Sequence, residues 1–363
     1  MPPFHGSYRP EQVTFLLKPI ELAPITDTAA KEALIQSGQK HYSEMLSPEY
    51  PPSAAYLALF AEACAQNDAR LAADCLRLAA LIAGKHRTPP TLVSLARAGT
   101  PVGVILRDIL ARHYRAPVAH YSISIIRDHG IDQNALRHIL ARHADSDLVF
   151  IDGWTGKGVI ARELTRAIAA YNQAQQTAID PGLYVLADLS GTAACAASSE
   201  DYLIPTALLN ATISGLISRS ILNEQIGATD YHGCVYYENL RAHDQSQAYA
   251  DRIAALCPLP LPLPQASAAD TRTAAQTSAT LLAQLRESYG ITDDNLIKPG
   301  IGETTRVLLR RQPERLLLRE PDAASTRHLV RLAQEKNVAI EHDPALPYHA
   351  VGIIRSHRPG ATA

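Results

Sequence analysis

The residues best suited to chemistry lie in one glycine-rich segment, residues 150–158, which reads FIDGWTGKG. An apolar stretch ends there in the carboxylate of Asp152, and a helical pattern follows the glycines. Successive glycines allow backbone N–H groups to converge on an anion, and the N-terminus of a helix adds positive potential. Asp152 is therefore expected to accept hydrogen bonds from sugar hydroxyls. The predicted phosphate-binding turn consists of Thr155, Gly156, Lys157 and Gly158.

A second strand-to-helix turn, SLARAGTP at residues 94–101, carries a cation beside a glycine. Arg97 and the free amides around Gly99 and Thr100 predict a site for a polyanionic leaving group. In the simpler alternative, Arg97 is a solvated loop charge and Thr100 caps a helix whose first residue is Pro101. For residues 150–158 the alternative is an ordinary turn, and Walker A is excluded because Gly158 stands where that motif needs Ser or Thr.

Two further strand ends place ionisable side chains in loops. Arg127 and Asp128 follow an apolar run and are candidates for the acceptor side of a reaction, or for a surface salt-bridged turn. Asp188 ends the run LYVLADL and is a candidate ligand contact, or a cap for its own turn.

These segments need a fold that brings several strand ends together. Apolar runs suited to buried strands alternate with helical patterns between residues 91 and 222. This alternation is typical of an α/β fold with a mostly parallel sheet, helices on both faces and ligands at the carboxyl ends of the strands. Asp132 is predicted to cap a helix. Residues 54–84 are predicted to form a helical hairpin turning near residues 66–68, and residues 203–222 a helix.

The clearest boundary is a proline-rich run that passes into small polar residues, because such a stretch orders little apolar surface. We therefore predict one domain over residues 1–256, with an N-terminal extension and the helical hairpin reaching to about residue 85. A linker is predicted over residues 257–280 and a small second α/β domain over residues 281–363.

The second domain has its own candidate site in the segment KPGIGETTR, residues 298–306. A helix N-terminus beside Lys298 and Arg306 could hold a phosphate backbone, while Glu303 could accept from a base edge. The alternative is a well-capped amphipathic helix with a basic solvent face. The predicted RNA-contacting residues are Lys298, Gly300, Gly302, Glu303, Thr305 and Arg306.

Composition restricts where the chain acts. The formal net charge of -2 argues that the whole molecule does not attract nucleic acid or anionic membrane, so any RNA contact must be local. The five widely spaced cysteines form no CxxC pair, which argues against a disulfide framework and a structural zinc site. Without a signal-like N-terminus or a long apolar run, the chain is predicted to be cytoplasmic and to contact no membrane.

Together, the turns at residues 97–100 and 152–158 resemble the phosphoribosyltransferase superfamily, which implies a Rossmann-like sheet with helical N-terminal additions. Through residues 6–19 and both turns, the chain is also similar to a family labelled StiP, associated with tellurium-resistance and stress-response operons. The resemblance to phosphoribosyltransferases implies transfer of ribose 5-phosphate from phosphoribosyl pyrophosphate, or a related phosphosugar, to a base or nucleotide-like acceptor. It also implies Mg²⁺ held at Asp152 to assist pyrophosphate release, and the similarity to the StiP family implies a role in stress or tellurite response.

The resemblance distributes roles over the candidate residues. The implied catalytic residues are Asp152, Arg97, Arg127 and Asp128. The implied substrate contacts are Thr155, Gly156, Lys157, Gly158, Gly99, Thr100 and Asp188.

Residues 300–306 resemble the Gly-x-Asn-Glu-x-Thr-Lys signature of the Pelota and kink-turn-binding ribosomal-protein superfamily, with Gly302 where Asn is usual. This resemblance implies a small α/β/α domain and a structured RNA as partner. A homodimer is a further expectation.

Two other functions compete with the transferase. One is a non-catalytic regulator that binds a phosphorylated metabolite and RNA. The other is a cysteine protease using Cys234, which follows His232 and Gly233, or Cys195; free cysteines are more often small buried hydrophobes.

Overall fold

The computed structural model describes residues 4–257 and 268–356. Part of the predicted linker, residues 258–267, lies outside the described residues. The described helices are α1 (Thr28–Gln36), α2 (Ala54–Lys85), α3 (Gly99–Tyr114), α4 (Gln133–Leu140), α5 (Val159–Gln175), α6 (Ser246–Leu256), α7 (Arg272–Tyr289), α8 (Ile301–Arg310) and α9 (Arg327–Glu335).

The described strands fall into three sheets, and their order along the chain follows the predicted alternation with helices. They are β1 (Thr14–Leu16), β2 (Lys18–Pro19), β3 (Thr91–Ala96), β4 (Ala119–Ile126), β5 (Gly130–Ile131), β6 (Leu148–Thr155), β7 (Leu183–Asp188), β8 (Cys195–Ser198), β9 (Gly233–Cys234), β10 (Ile297–Pro299), β11 (Pro313–Leu318), β12 (Ala339–His342) and β13 (Ala350–Ile354).

The central sheet has the order β1-β4-β3-β6-β7-β8, and all of these pairs are parallel. The short β5 adds to β4 in the antiparallel direction. Each strand is apolar on both faces because helices cover both: Leu92 of β3 joins the core that includes α2 and α3, whereas the next residue, Val93, joins the core that includes α4 and α5. The predicted α/β class with a mostly parallel sheet is confirmed.

The predicted helical hairpin at residues 54–84 is wrong, because α2 is one continuous helix of 32 residues. The polar triplet that suggested a turn is accommodated on the helix. Asn67 donates to the carbonyl of Ala63, and the Asp68 carboxylate pairs with Arg252 at 2.8 Å. Buried apolar residues before and after the triplet keep the helix on the sheet.

The helix predicted over residues 203–222 is also wrong. This segment contains two short 3₁₀ turns, at Pro205–Ala207 and Ala211–Ile213, joined by irregular backbone. Gly215 has a positive φ of 81° and lies against the rings of Phe15 and Tyr8, so the chain bends where a helix would have to continue. The predicted cap at Asp132 is confirmed, since its carboxylate accepts from the N–H of Ala135.

The C-terminal part has a four-stranded sheet of order β10-β13-β11-β12, on which α8 and α9 pack. Leu281 and Leu285 of α7 join the apolar core of this sheet. Only β11 and β12 pair in parallel. Helix α7 begins at Arg272, so residues 272–280 of the predicted linker are helical. Among the described residues, no helix is both long and apolar enough to cross a membrane.

Candidate functional site: a cationic cleft

A cleft of about 690 Å³ opens where the carboxyl ends of β3, β4 and β6 meet the first turn of α8. Much of its wall comes from three regions of the sequence: residues 26–50, the glycine-rich turn at the end of β6, and the segment from Asp293 to Arg311. The cationic side chains along it include Arg97, Arg127, Lys157, Lys298, Arg306 and Arg310. The cleft thus places both sequence-predicted sites, the phosphate turn and the RNA signature, in one cavity.

The glycine-rich turn forms one wall of this cleft. Asp152 accepts from the N–H of Gly153 at 2.8 Å, and burial raises the pKa of its carboxyl to about 6. Thr155 shares a hydrogen bond of 2.8 Å with Ser190, which ties the turn to the end of β7. Gly158 has a φ of 71°, and a Cβ there would lie 2.3 Å from Thr192, so the turn requires glycine.

Lys157 faces the C-terminal part. Its ammonium donates to the carbonyl of Asp294. Burial, together with the neighbouring Lys298, lowers the pKa of Lys157 to about 7. Near neutral pH this amine therefore changes charge inside the cleft.

Helix α8 packs directly on the glycine-rich turn. Arg306 lies over the Trp154 ring at 4.1 Å from its centroid. A Cβ on Gly302 would lie 2.8 Å from Cε2 of Trp154, and a Cβ on Gly156 would lie 3.0 Å from the carbonyl oxygen of Pro299. Gly302, the residue that departs from the Pelota signature, therefore makes room for Trp154.

Glu303 is the anionic centre of this interface. Burial alone would raise the pKa of its carboxyl, yet Arg306, Lys298 and Lys157 hold that pKa below its ordinary value. Glu303 stays ionised and offsets part of the cationic charge around it.

The turn after β3 is held by neighbouring residues. Arg97 donates to Glu49 at 2.9 Å and to the carbonyl of Ile217 at 2.8 Å. Thr100 is buried and shares a hydrogen bond with Ser122, and α3 begins at Gly99 after Ala98 without a side-chain cap. The alternative role of Thr100 as a helix cap is therefore wrong.

The other predicted site residues at the strand ends lie in different surroundings. Arg127 reaches the cleft, where it donates to Asn295 at 3.0 Å, whereas Asp128 points to solvent and pairs with Arg127. Asp188 is fully buried, and both of its carboxylate oxygens accept from its own turn, from the residues Ser190, Gly191 and Ala193.

The structure separates the RNA signature into two groups. Lys298, Glu303 and Arg306 line the cleft. Thr305 is buried, donating to the carbonyl of Ile301 and sharing a hydrogen bond with His328, and the N–H of Gly300 donates to Ala350. These last two residues hold the domain together.

Sequence reasoning missed several cleft residues. Arg219 donates to the carbonyl of Met45, and burial lowers the pKa of its guanidinium to about 10. Arg310 lies at the end of α8 and lines the same space. In the sequence, Arg219 is a lone cation inside an apolar run. A charged residue is unusual in such a run unless it has a partner or a function, and this pattern could have identified Arg219 as a candidate.

Asp152 was the predicted Mg²⁺ ligand. The groups with the strongest electrostatic influence on it are Arg306 and Glu303. Within residues 4–257 and 268–356, no group of three or more His, Cys, Asp or Glu side chains is placed to hold a metal ion. The Mg²⁺ site stays a prediction.

All five cysteines are free thiols. Cys234 is buried, and burial raises its pKa to about 12. Cys195 is partly accessible; burial raises its pKa to about 11, while Lys85 and Arg77 act in the opposite direction. Among the described residues, no cysteine sulfur hydrogen-bonds to a histidine ring.

Comparison with known proteins gives three matches. Residues 6–254 match the family model described as "Tellurite-like stress resistance cysteine protease StiP", and residues 276–356 match the one described as "PELOTA RNA binding domain". Over 365 residues the chain is 43% identical to a protein of Acinetobacter baylyi named "Cysteine protease StiP". That alignment covers 97% of this chain and 94% of the relative.

These matches correct the predicted activity. The family and the relative bear the name of a cysteine protease, and neither supports phosphoribosyl transfer from phosphoribosyl pyrophosphate, so the predicted transferase is wrong. A glycine-rich turn and an arginine at adjacent strand ends bind anions in many folds, and this local pattern does not specify the reaction. By its matched length and its identity to the relative, the chain belongs to the StiP family of tellurite-like stress resistance proteins.

Proposed function

We propose that the chain binds RNA in the cationic cleft between the central sheet and the C-terminal part. The observation that carries this proposal is the convergence of Arg97, Arg127, Lys157, Lys298 and Arg306 on one cavity. The match of residues 276–356 to a Pelota RNA-binding model supports it. Phosphate groups need such cations, and an aromatic ring beside them offers a surface for a base.

The C-terminal part is proposed as a Pelota-like domain, with its signature helix α8 turned toward the central sheet. In this arrangement the RNA contacts Lys298, Glu303 and Arg306 from one side and the glycine-rich turn from the other. The end of the first domain near residue 257 remains part of the proposal, and we place the start of the second before α7, which begins at Arg272.

Binding of a short single-stranded RNA with hydroxyl ends tests the proposal. Lys298→Met and Arg306→Gln are each expected to weaken binding by about tenfold and to reduce the slope of log Kd against log salt by about one. Fluorescence anisotropy at several salt concentrations measures both quantities. Arg272→Ala is the control, because Arg272 is exposed and pairs with Asp270 outside the cleft. Absence of binding by the folded wild type contradicts the proposal.

The affinity for hydroxyl-ended RNA is expected to fall by about tenfold between about pH 5.5 and about pH 8. Asp152 has a raised pKa of about 6, so it is neutral at the low end and anionic at the high end. Lys157 has a lowered pKa of about 7, so it loses its positive charge over the same interval. Both changes disfavour an anion.

The double variant Asp152→Asn, Lys157→Met removes both titrations and is expected to give a flatter pH profile. Anisotropy titrations at constant ionic strength compare the two proteins. An equally steep profile in the double variant shows that other groups control binding.

A thiol-dependent protease is the second candidate, which the name of the family and relative favours. Cys195 is the one cysteine whose side chain is not buried, and Lys85 and Arg77 lie near enough to favour its thiolate. Its raised pKa of about 11 predicts slow alkylation at neutral pH.

Casein cleavage by the wild type and by Cys195→Ser, with Cys64→Ser as the control, tests this candidate. Iodoacetamide labelling followed by mass spectrometry shows which thiol reacts. Loss of cleavage in Cys195→Ser alone supports the protease, whereas equal cleavage by all three proteins, or none by the wild type, excludes this residue as its nucleophile.

A further inference from the structure

A smaller cavity of about 200 Å³ adjoins the cleft. Its volume is several times that of one water molecule, which occupies about 30 Å³ in the liquid. Its lining residues include 95–98, from the end of β3 and the turn after it, and Arg306 and Arg310 from α8. The two cavities share Asp152 and Arg97, so the smaller one continues the cleft. It is assembled from both parts of the chain.

Three polar side-chain atoms around this cavity lack a hydrogen-bond partner among the described residues. Among the described residues, the side chain of Arg310 forms no hydrogen bond, and its Nε is shielded from solvent. Nε of Arg306 and Oδ1 of Asn210 are also shielded and unpaired. A shielded donor without an acceptor costs free energy, so the two unpaired guanidinium nitrogens at one cavity indicate that a bound group supplies the missing acceptors. Oδ1 of Asn210 is an acceptor and needs a donor instead.

The positive charge around the cavity is only partly compensated, since Asp152 is the one carboxyl among its described lining residues. Arg97, Arg219, Arg306 and Arg310 surround it. Arg97 has a carboxylate partner in Glu49, and Arg306 has a longer contact with Glu303 at 3.3 Å. Burial and the neighbouring Arg97 and Arg306 lower the pKa of Arg310 to about 9. The uncompensated charge selects an anion.

The cavity walls determine how an anion can enter. Apolar residues form part of the lining, among them Leu95, Ile125, Leu209 and Ile213, and this cavity is much smaller than the cleft. A phosphodiester inside an RNA strand needs a path for the chain on both sides. A phosphate at the end of a strand needs only one, and its extra charge suits guanidinium partners.

We infer that this cavity, the end-phosphate pocket (Arg97, Asn210, Arg219, Arg306 and Arg310), binds a phosphate monoester: the terminal phosphate of a single-stranded RNA whose next nucleotides lie in the cleft. The inference rests on the proposed RNA binding and adds the class of RNA. In this arrangement Arg310 and Arg306 donate to the terminal oxygens, and Trp154, which lies under Arg306, lines the adjoining cleft.

Binding of one short RNA sequence in three forms, with a 5′-phosphate, with a 3′-phosphate and with hydroxyl ends, tests the inference on the full chain. One phosphorylated form is expected to bind at least tenfold more tightly than the hydroxyl form. Arg310 lines both the pocket and the cleft, so Arg310→Met is expected to weaken the preferred phosphorylated form at least tenfold more than the hydroxyl form and thereby to remove the preference. Lys298 lines only the cleft, so Lys298→Met is the control. It is expected to weaken the binding of all three RNA forms equally.

A stability measurement shows whether Arg310→Met acts through the pocket or through misfolding. Because Arg310 is an unpaired cation among other cations, the variant is expected to unfold at a temperature equal to or above that of the ligand-free wild type. Arg310→Lys retains the charge and is expected to keep part of the preference. A large drop in the Tm of both variants contradicts the inference, since it gives Arg310 a structural role.

The outcomes separate this inference from the proposed function. Equal affinity for all three RNA forms overturns the end-phosphate pocket and leaves RNA binding standing. Binding of inorganic phosphate or a nucleoside monophosphate without any RNA binding overturns both the terminal-RNA assignment and the proposed function. A preference for one phosphorylated end that persists in Arg310→Met places the phosphate elsewhere and also overturns the inference.

Discussion

Replacing Asp188 by alanine is expected to lower the free energy of unfolding by about 4 kcal/mol. Asp188 is fully buried at the end of β7 and accepts from three backbone N–H groups and one hydroxyl, at 2.8 to 2.9 Å. Alanine leaves these donors shielded from water and unpaired, and the cost of each adds to the loss of the charge-assisted bonds. Urea denaturation followed by tryptophan fluorescence measures the effect, since the single tryptophan, Trp154, pairs with Ala187 across the sheet.

Two further variants show whether the loss of stability comes from the hydrogen bonds of the Asp188 carboxylate. Asp188→Asn keeps the shape but replaces an accepting oxygen by a donor, so it is expected to lose most of the same stability. Asp180→Asn is the matched control, because Asp180 pairs with Lys85 in solvent and its loss is expected to cost less than about 1 kcal/mol. A loss below about 1 kcal/mol in Asp188→Ala contradicts the structural role of this carboxylate.

Replacing Glu32 by alanine is expected to destabilise the attachment of the N-terminal extension to the C-terminal part by about 3 kcal/mol. Glu32 of α1 has no exposed side-chain surface and accepts two hydrogen bonds from Arg311, at 2.5 and 2.6 Å. The pair joins residues 279 positions apart in sequence. Without the carboxylate, Arg311 and the nearby Lys31 and Arg310 repel one another.

Hydrogen exchange over α1 and limited proteolysis between residues 20 and 50 measure this loss. Glu62→Gln is the matched control, because Glu62 also connects the two parts of the chain, through Arg327, but both partners are exposed. Unchanged exchange in Glu32→Ala means that the apolar contacts of α1 alone hold it in place.

The strands were predictable because each of them satisfies a local rule. The predicted run at residues 91–96 coincides with β3, since a strand covered on both faces must be apolar throughout. Apolar character misled at residues 203–222, which were predicted to form a helix but are irregular. Burial explains an apolar run without specifying its backbone conformation.

The candidate site was predictable in its residue types and not in its assembly. Three segments were recognised separately: the turn at Arg97, the turn at Lys157 and the signature at Lys298. That α8 packs on the glycine-rich turn depends on the fit between Gly302 and the Trp154 ring, which no pattern in either segment reveals. The activity inferred from the turns was wrong because anion-binding turns recur in proteins of different function.

The sequence by itself determined the α/β class, the parallel sheet and the positions of the anion-binding turns, because these follow from hydrophobic period and local backbone requirements. Tertiary structure decided what the side chains do. Asp188 is used within its own turn, whereas Asp201 accepts from the first N–H of α8, 100 residues later, at 2.8 Å. Contacts of this kind depend on how separate elements pack, and the charge of the cleft arises only when both parts of the chain are brought together.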